Sequence, residues 1–144
     1  MQMEGDYMNY KITYNIIPEH FESVRASVGW NKLNYDQIAR ALKNSMVNVS
    51  VFDGDFCIGV GRIVGDHILK GMLTDIMVRP EYQGKGVGKL VVNKLISRLY
   101  NYIPEGECFQ LEASPTADNR EFYIKCGLKY KPENQDGVYM WIRK

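Results

Sequence analysis

Three glycines alternate with other residues just after a proline-containing turn, where a long amphipathic segment begins. They are Gly84, Gly86 and Gly88, and Lys85 stands between the first two. Glycine has no Cβ to keep a ligand away from the backbone, and the first N–H groups of a helix have no acceptor inside the helix. The positive end of the helix dipole and the lysine ammonium supply charge that favours an anion. A phosphate or a pyrophosphate is therefore the expected ligand of this turn.

Two familiar nucleotide-binding motifs do not fit the turn. A P-loop that ends at Gly88 and Lys89 needs glycine at position 83 and serine or threonine at position 90, but the chain has Gln83 and Leu90 there. A dinucleotide fingerprint that starts at Gly84 needs a third small residue at position 89, where the lysine stands. Both mismatches weaken the interpretation of the chain as a nucleotide-binding interaction domain.

The pattern Gln83-x-x-Gly86-x-Gly88 resembles the Gln/Arg-x-x-Gly-x-Gly/Ala signature of the GNAT family of N-acetyltransferases. The order of predicted strands and helices also resembles that family over residues 10–142, which is almost the whole chain. A helix start whose glycines serve only close packing is the structural alternative. The resemblance favours a coenzyme site over that alternative.

The resemblance implies acetyl-coenzyme A as cosubstrate, no metal, and direct attack by a primary amine in a ternary complex. In that family the fourth strand parts from the fifth at a bulge, and backbone groups in the resulting cleft hold the pantetheine arm and polarise the acetyl carbonyl. The backbone of the glycine turn holds the pyrophosphate. By this resemblance, the expected cofactor-binding residues are Ile76, Met77, Val78, Gln83, Gly84, Lys85, Gly86, Val87, Gly88 and Asn119.

Acid and base catalysis can also be assigned to residues. Tyr123 resembles the tyrosine that the family places near the coenzyme sulfur, so it is expected to be the general acid. A phenol with a pKa of ~10 can donate a proton to a thiolate whose conjugate acid has a pKa of ~8.5. A core tyrosine is the alternative, since the chain has 10 tyrosines. Asp75 is the expected catalytic base and Glu112 a second candidate by location, although either carboxylate could be only a solvated charge and the proton could leave through water.

The acceptor is expected to enter opposite the coenzyme, beside the loop between the first two predicted helices. Trp30 and Tyr35 in this region could line a pocket for an apolar or cationic amine, or could pack the loop on the core. A net charge of +1 identifies no acceptor class and disfavours nucleic-acid and membrane partners. A small-molecule amine is the favoured acceptor, and a non-catalytic acyl-CoA sensor is the alternative function.

The spacing of apolar residues and the positions of turn-forming residues predict the strands and helices that must position these residues. Three consecutive strands form a meander, and the third of them leads through a long helix to a further strand, which requires those two strands to be parallel. We predict a single-domain α/β (α+β) fold over residues 10–144, after a flexible segment at 1–9. Its central mixed, mostly antiparallel sheet has about seven strands, with four helices and a V-shaped splay between strands 4 and 5. The predicted strands span 10–17, 46–53, 56–64, 69–78, 108–113, 128–131 and 138–143, and the predicted helices 18–28, 36–43, 86–102 and 116–125.

Composition agrees with one ordinary domain. The 144 residues are 45% hydrophobic and 24% charged, which is enough apolar material for one packed core. Cys57, Cys108 and Cys126 lie far apart without paired spacing and are expected to be free thiols. No apolar run approaches the ~18 residues of a membrane span, so the cytoplasm is the expected location. The last strand has apolar residues on both faces, and a homodimer through it is possible.

Overall fold

The computed structural model describes residues 9–133 and 136–144. The prediction of a flexible segment at 1–9 therefore falls, except for Asn9, outside the described residues. The described strands are β1 (Tyr10–Thr13), β2 (Val47–Asp53), β3 (Phe56–Gly65), β4 (Lys70–Val78), β5 (Cys108–Ala113), β6 (Lys129–Tyr130) and β7 (Val138–Arg143). The described α-helices are α1 (Pro18–Ser27), α2 (Tyr35–Lys43), α3 (Val87–Tyr102) and α4 (Arg120–Lys125), and a 3-10 turn spans Pro80–Tyr82.

The strands form one sheet in the order β1-β2-β3-β4-β5-β7-β6. Every neighbouring pair is antiparallel except β4 and β5, which are parallel because α3 carries the chain from one to the other. The predicted fold class is confirmed, including the mixed sheet and the four flanking helices.

Helices cover both faces of the sheet and bury two cores. On one face, here called the α3 face, Val91 and Leu95 of α3 pack with Leu73 of β4. On the other, here called the α1 face, the second core includes Phe21 of α1 and Met77 of β4. Apolar burial of this kind is the main stabilising term of the domain. The strand β4 thus contributes side chains to both cores.

The start of α2 corrects one prediction. Asn34, and not Asp36, is the N-cap, since its side-chain oxygen accepts a hydrogen bond from the N–H of Gln37 at 3.1 Å. Asparagine and aspartate cap equally well, so composition could not choose between them. Asp36 lies instead in the first turn of the helix, where its charge complements the helix dipole.

Two other elements are each four residues shorter than predicted. The strand β1 ends at Thr13 and not at residue 17, and Ile16 beyond it is buried in the α1-face core without ladder pairing. The helix α4 begins at Arg120 and not at residue 116, because turns occupy residues 117–119. The C-terminal part of the predicted helix, which carries Tyr123, is helical as expected.

Candidate active site

The strands β4 and β5 are joined only at one end. Lys70, Gly71 and Met72 pair with residues 110–112, and beyond them β4 continues to Val78 without further pairing to β5. The predicted V-shaped splay is therefore present. Peptide groups on the open side of β4 do not pair with β5, and buried backbone donors and acceptors must find partners. A ligand can therefore bind to them.

A bulge in β4 lies where the two strands part. Arg62 of β3 pairs with Thr74, but the next recorded pair joins Val60 to Met77, so β4 advances three residues while β3 advances two. The extra residue is Asp75, whose φ of 55° lies in the left-handed region. A β-bulge of this kind bends its strand and increases the local twist. The bend accounts for the departure of β4 from β5.

The glycine turn connects the end of β4 to α3. Gly84 and Gly86 have φ values of 76° and 86°, which residues with a side chain rarely adopt. Gly86 is the N-cap of α3. The N-cap residue makes no side-chain cap bond, and the first N–H groups of any helix have no acceptor within the helix itself. The side-chain amide of Gln83 donates to the carbonyl of Val78 at 2.9 Å and ties the turn to the strand.

A cavity of 660 Å³ lies between the open end of β4, the glycine turn and α4. This volume is in the range of ligand pockets. Its lining residues are Ile76, Val78, Gln83, Gly84, Gly86, Gly88, Lys89, Asp118, Asn119, Phe122 and Tyr123. The structure thus brings together most of the residues predicted to bind the coenzyme, with the predicted general acid among them.

Three residues predicted to bind the coenzyme do not line the cavity. The side chains of Met77 and Val87 are 2% and 1% exposed and belong to the cores, so only their backbone could take the predicted role. The ammonium of Lys85 lies 5.5 Å from the centre of the Tyr82 ring. The charge expected from Lys85 at the helix start is matched in the cavity by Lys89, one helical turn further on.

Tyr123 is a buried side chain that lines the cavity. It is 7% exposed, and its ring meets that of Phe122 edge-on with centroids 5.0 Å apart. Burial, with a smaller contribution from Cys126, raises the pKa of Tyr123 to about 12. The phenol therefore keeps its proton at neutral pH, which is the state that a general acid requires.

The carboxylate of Asp75 is already engaged. Its Oδ2 accepts a hydrogen bond from Nε of Arg62 at 2.7 Å, and its Oδ1 lies 4.0 Å from Nη1 of Arg25. All three side chains are only 15–17% exposed, so water screens the pairs poorly. A carboxylate held in this way is poorly placed to accept a proton from an acceptor amine.

Glu112, the second candidate base, is engaged as well. Lys131 binds one of its oxygens at 2.6 Å and Lys70 the other at 3.2 Å. The hydrogen bond from Lys131, helped by that from Lys70, lowers the pKa of Glu112. This cluster borders a separate cavity of 250 Å³ on β5 and β7, and Glu112 does not line the 660 Å³ cavity.

The aromatic residues expected near the acceptor lie on the surface. Trp30 is 47% exposed and its ring lies 5.2 Å from the guanidinium of Arg25. Tyr35 is 53% exposed and donates a hydrogen bond to Glu19 at 3.2 Å. Trp30 thus stands beside an arginine that also faces Asp75, on the α1 face of the parted strands.

Comparison with known proteins identifies the family. Residues 46–129, which include the bulge, the glycine turn and α4, match the family model of the acetyltransferase (GNAT) domain. The chain belongs to the GNAT acetyltransferase family. The predicted family is thereby confirmed.

Similar GNAT proteins cover most of the chain. The uncharacterized N-acetyltransferase ycf52 of Pyropia yezoensis is 30% identical over 133 residues, which are 90% of this chain and 74% of that protein. A histone acetyltransferase of Glycine max is 28% identical over 79% of this chain, and the match spans 52% of its own length. The solved structure of a probable acetyltransferase from Staphylococcus aureus superposes with a TM-score of 0.73 at 25% identity, over 87% of this chain and 94% of that one.

Three cavity residues of this GNAT domain were not among the predicted site residues. They are Lys89, Asp118 and Phe122. In the sequence Lys89 stands as a mismatch to the dinucleotide fingerprint, although a cation in the first turn of α3 is itself a signal for an anionic ligand. A Cβ on Gly88 would lie 3.3 Å from the Phe122 ring, so this glycine admits α4 close to α3. That contact joins residues 34 positions apart and leaves no local trace in the sequence.

Within the described ranges, no helix has the length and apolar character that a membrane span needs.

Proposed function

We propose that this chain is an N-acetyltransferase that transfers the acetyl group of acetyl-CoA to a primary amine. The single observation that carries the proposal is the 660 Å³ cavity, which joins a glycine turn at a helix start to the open end of a parted strand. One end suits a pyrophosphate and the other suits an extended, amide-rich arm. Coenzyme A contains both groups in that order.

The proposed binding roles follow the lining of the cavity. Backbone N–H groups of the glycine turn and of the first turn of α3 would hold the pyrophosphate, and the Lys89 ammonium would offset part of its charge. The N–H of Gln83 is excluded, because it already donates to the Pro80 carbonyl at 3.2 Å. The backbone of Ile76 and Val78 would form hydrogen bonds with the pantetheine amides, so that the pantetheine arm takes the place of β5 beside this part of β4. Asn119, at the N-cap of α4, would contact the same arm.

In the proposed reaction, acetyl-CoA supplies an activated thioester carbonyl. A neutral amine of the acceptor attacks the carbonyl carbon in the ternary complex, and the C–S bond breaks. The hydroxyl of Tyr123 donates its proton to the departing thiolate and regains one from solvent. We propose that water removes the amine proton, since Asp75 and Glu112 are both ion-paired.

The acceptor is proposed to be a small-molecule amine, as predicted from the sequence. The relative from Glycine max is named a histone acetyltransferase, so a lysine side chain of a protein is the second candidate acceptor. The cytoplasm remains the proposed location. A homodimer through β7 also remains a proposal, and sedimentation equilibrium would test it.

A thiol-release assay tests the function. Acetyl-CoA is mixed with the chain and with a panel that holds polyamines, aminoglycosides, amino sugars, amino acids and a lysine-containing peptide. We expect free thiol with at least one amine and its loss in Tyr123→Phe, while Tyr130→Phe, an exposed tyrosine outside the cavity, keeps it. Tight acetyl-CoA binding by calorimetry without turnover on any amine would support the alternative, a non-catalytic acyl-CoA sensor.

A further inference from the structure

The bulge in β4 changes which face of the sheet its last residues occupy. Side chains alternate along a strand, so one extra residue moves all later side chains to the opposite face. Leu73 lies on the α3 face before the bulge. After it, Met77 joins the α1-face core, while Ile76 and Val78 line the cavity on the α3 face. If side chains alternated regularly through Asp75, Met77 would face the cavity and the other two would turn away from it.

The residue at the bulge has an unfavourable backbone conformation. Asp75 has a φ of 55°, and among the described residues the other non-glycine with positive φ is His67, at 71°. The left-handed region costs an L-residue energy that glycine does not incur, and a bulge of this type usually carries glycine there. Aspartate is one of the residues that tolerate the region best, but it still needs support from its surroundings.

Arg62 supplies this support from the neighbouring strand. Its Nε binds the Asp75 carboxylate at 2.7 Å, and its Nη1 donates to the Ala41 carbonyl at 3.2 Å and to the Ser45 hydroxyl at 3.1 Å. The guanidinium is thus held by Ala41 of α2 and by Ser45, which lies just beyond the end of that helix. Arg25 of α1 faces the same carboxylate at 4.0 Å. Both helices of the α1 face therefore hold Asp75 in place.

The α3 face makes room for the reversed side chain. A Cβ on Gly61 would lie 2.7 Å from Cδ1 of Ile76 and 2.6 Å from Cγ1 of Val91, which no packed side chain tolerates. The absent side chain lets Ile76 lie over β3 beneath α3. Gly61 and Arg62 are consecutive, so one dipeptide of β3 accommodates the bulge on both faces of the sheet.

We propose that Asp75 is a positioning residue: held by Arg62 in the left-handed conformation, it turns Ile76 and Val78 and their peptide groups toward the coenzyme. The inference rests on the proposed function, because it assigns the cavity to coenzyme A. It replaces the predicted role of Asp75 as catalytic base. A base acts on the acceptor amine, whereas a positioning residue acts on the affinity for coenzyme A.

Substitutions at position 75 separate conformation from charge. Asp75→Ala removes the carboxylate and retains a Cβ, whereas Asp75→Gly removes both and relieves the backbone. We expect calorimetry with coenzyme A to show about tenfold weaker binding for Asp75→Ala, and a Kd within about threefold of wild type for Asp75→Gly. Arg62→Met should weaken binding by about as much as Asp75→Ala. The KM for acetyl-CoA should follow the same order, with kcat retained in Asp75→Gly.

His67 provides a matched control, since it is the other non-glycine with positive φ and lies outside the 660 Å³ cavity. His67→Ala and His67→Gly should leave the Kd for coenzyme A unchanged. Circular dichroism and thermal unfolding verify that each variant is folded at the assay temperature. Folded variants are compared at equal concentration.

Three results would overturn the positioning role. They are an unchanged Kd in Asp75→Ala, a Kd in Asp75→Gly as weak as in Asp75→Ala, and a loss of kcat in Asp75→Gly with affinity intact, which is the behaviour of a catalytic base. Each leaves the proposed function standing, provided that the wild type binds coenzyme A and releases thiol. Absence of coenzyme binding by the wild type would instead reject the proposed function itself.

Discussion

The two ends of β4 differ in what completes their backbone. At the first end, Lys70–Met72 pairs with β5, and Gly71 packs against the Phe109 ring. At the second end, Ile76 and Val78 have no such partner and border the cavity. Composition predicts the opposite arrangement, since the paired end contains Lys70 and Gly71, which strands disfavour, and the open end contains β-forming Ile76 and Val78. A single inserted residue between them separates a closed, structural end from an open, ligand-binding end.

The largest expected effect lies at the open end. Tyr123→Phe removes the proton donor without changing the shape of the ring, so we expect kcat to fall by about 10²- to 10⁴-fold. The Kd for acetyl-CoA should change little, because the hydroxyl acts on the leaving thiolate. Steady-state kinetics and calorimetry measure the two quantities. A kcat within about threefold of wild type would remove Tyr123 from the chemistry and leave it as a core residue.

The ionisation of the same tyrosine should affect stability at high pH. Its pKa is about 12 in the folded state against 10.0 as the ordinary value, so the unfolded chain releases the proton first. The resulting stability is present below pH 10 and is lost as pH rises toward 12, by about 2 to 3 kcal/mol. Urea unfolding between pH 9 and 12 should show a shallower decline for Tyr123→Phe. Hydrogen bonds to carboxylates raise the pKa values of Tyr35, Tyr82 and Tyr130, but these groups are common to both proteins. Parallel declines in the two proteins would contradict the burial of the phenol.

A pair of glycine substitutions compares the ends directly. In Gly71→Ala the new Cβ would lie 2.9 Å from both the Phe109 ring and the Val64 carbonyl, so the free energy of unfolding should fall by about 1 to 3 kcal/mol. In Gly88→Ala the new Cβ would lie 3.3 Å from the Phe122 ring, which borders the cavity, so coenzyme affinity should fall instead. Urea unfolding and calorimetry on both variants test the contrast. Equal losses of affinity would show that the two ends are not independent.

Lys89 tests the charge at the glycine turn. Lys89→Gln should weaken coenzyme A binding by about three- to tenfold and reduce its dependence on salt, because one ammonium near the pyrophosphate is lost. Lys94→Gln, in the same helix beyond its first turn, is the control and should bind as wild type does. Calorimetry at two salt concentrations gives both quantities. If the two variants bind alike, the pyrophosphate does not sit at the first turn of α3.

The smallest effect is expected at the turn that leads into the paired end. Asp66 accepts hydrogen bonds from the N–H groups of Leu69, Ile68 and Lys70, which lower its pKa to about 2 from 3.8. The stability that these bonds contribute is present above pH 3.8 and is lost as pH falls toward 2. Asp66→Asn should therefore lose less stability than wild type over this interval in thermal unfolding. Its coenzyme affinity at neutral pH should be unchanged, and a clear loss of affinity would link this turn to the cavity.

Local patterns predicted what depends on local chemistry. The bounds of β5 and β7 agree with the prediction, and the glycine turn lies where its composition indicated. The family resemblance predicts a bulge in the fourth strand but not its position at Asp75, because the partner Arg62 is 13 residues away and no local pattern marks a left-handed aspartate. The same distance problem hid the lysines that bind Glu112. Glycine inside a strand signals a bulge or close approach, so Gly61 was the available clue.

The hydrogen bond from the Gln83 side chain to the Val78 carbonyl affects how fast the coenzyme is expected to bind. It ties the glycine turn to β4 through a contact within the chain, so part of the loop's conformational freedom is lost when the protein folds and not when the coenzyme arrives. Association then needs no slow ordering step, and its rate is expected to depend on diffusion and charge steering alone. The residence time of the coenzyme in the cavity is then expected to depend on its contacts with the open end of β4.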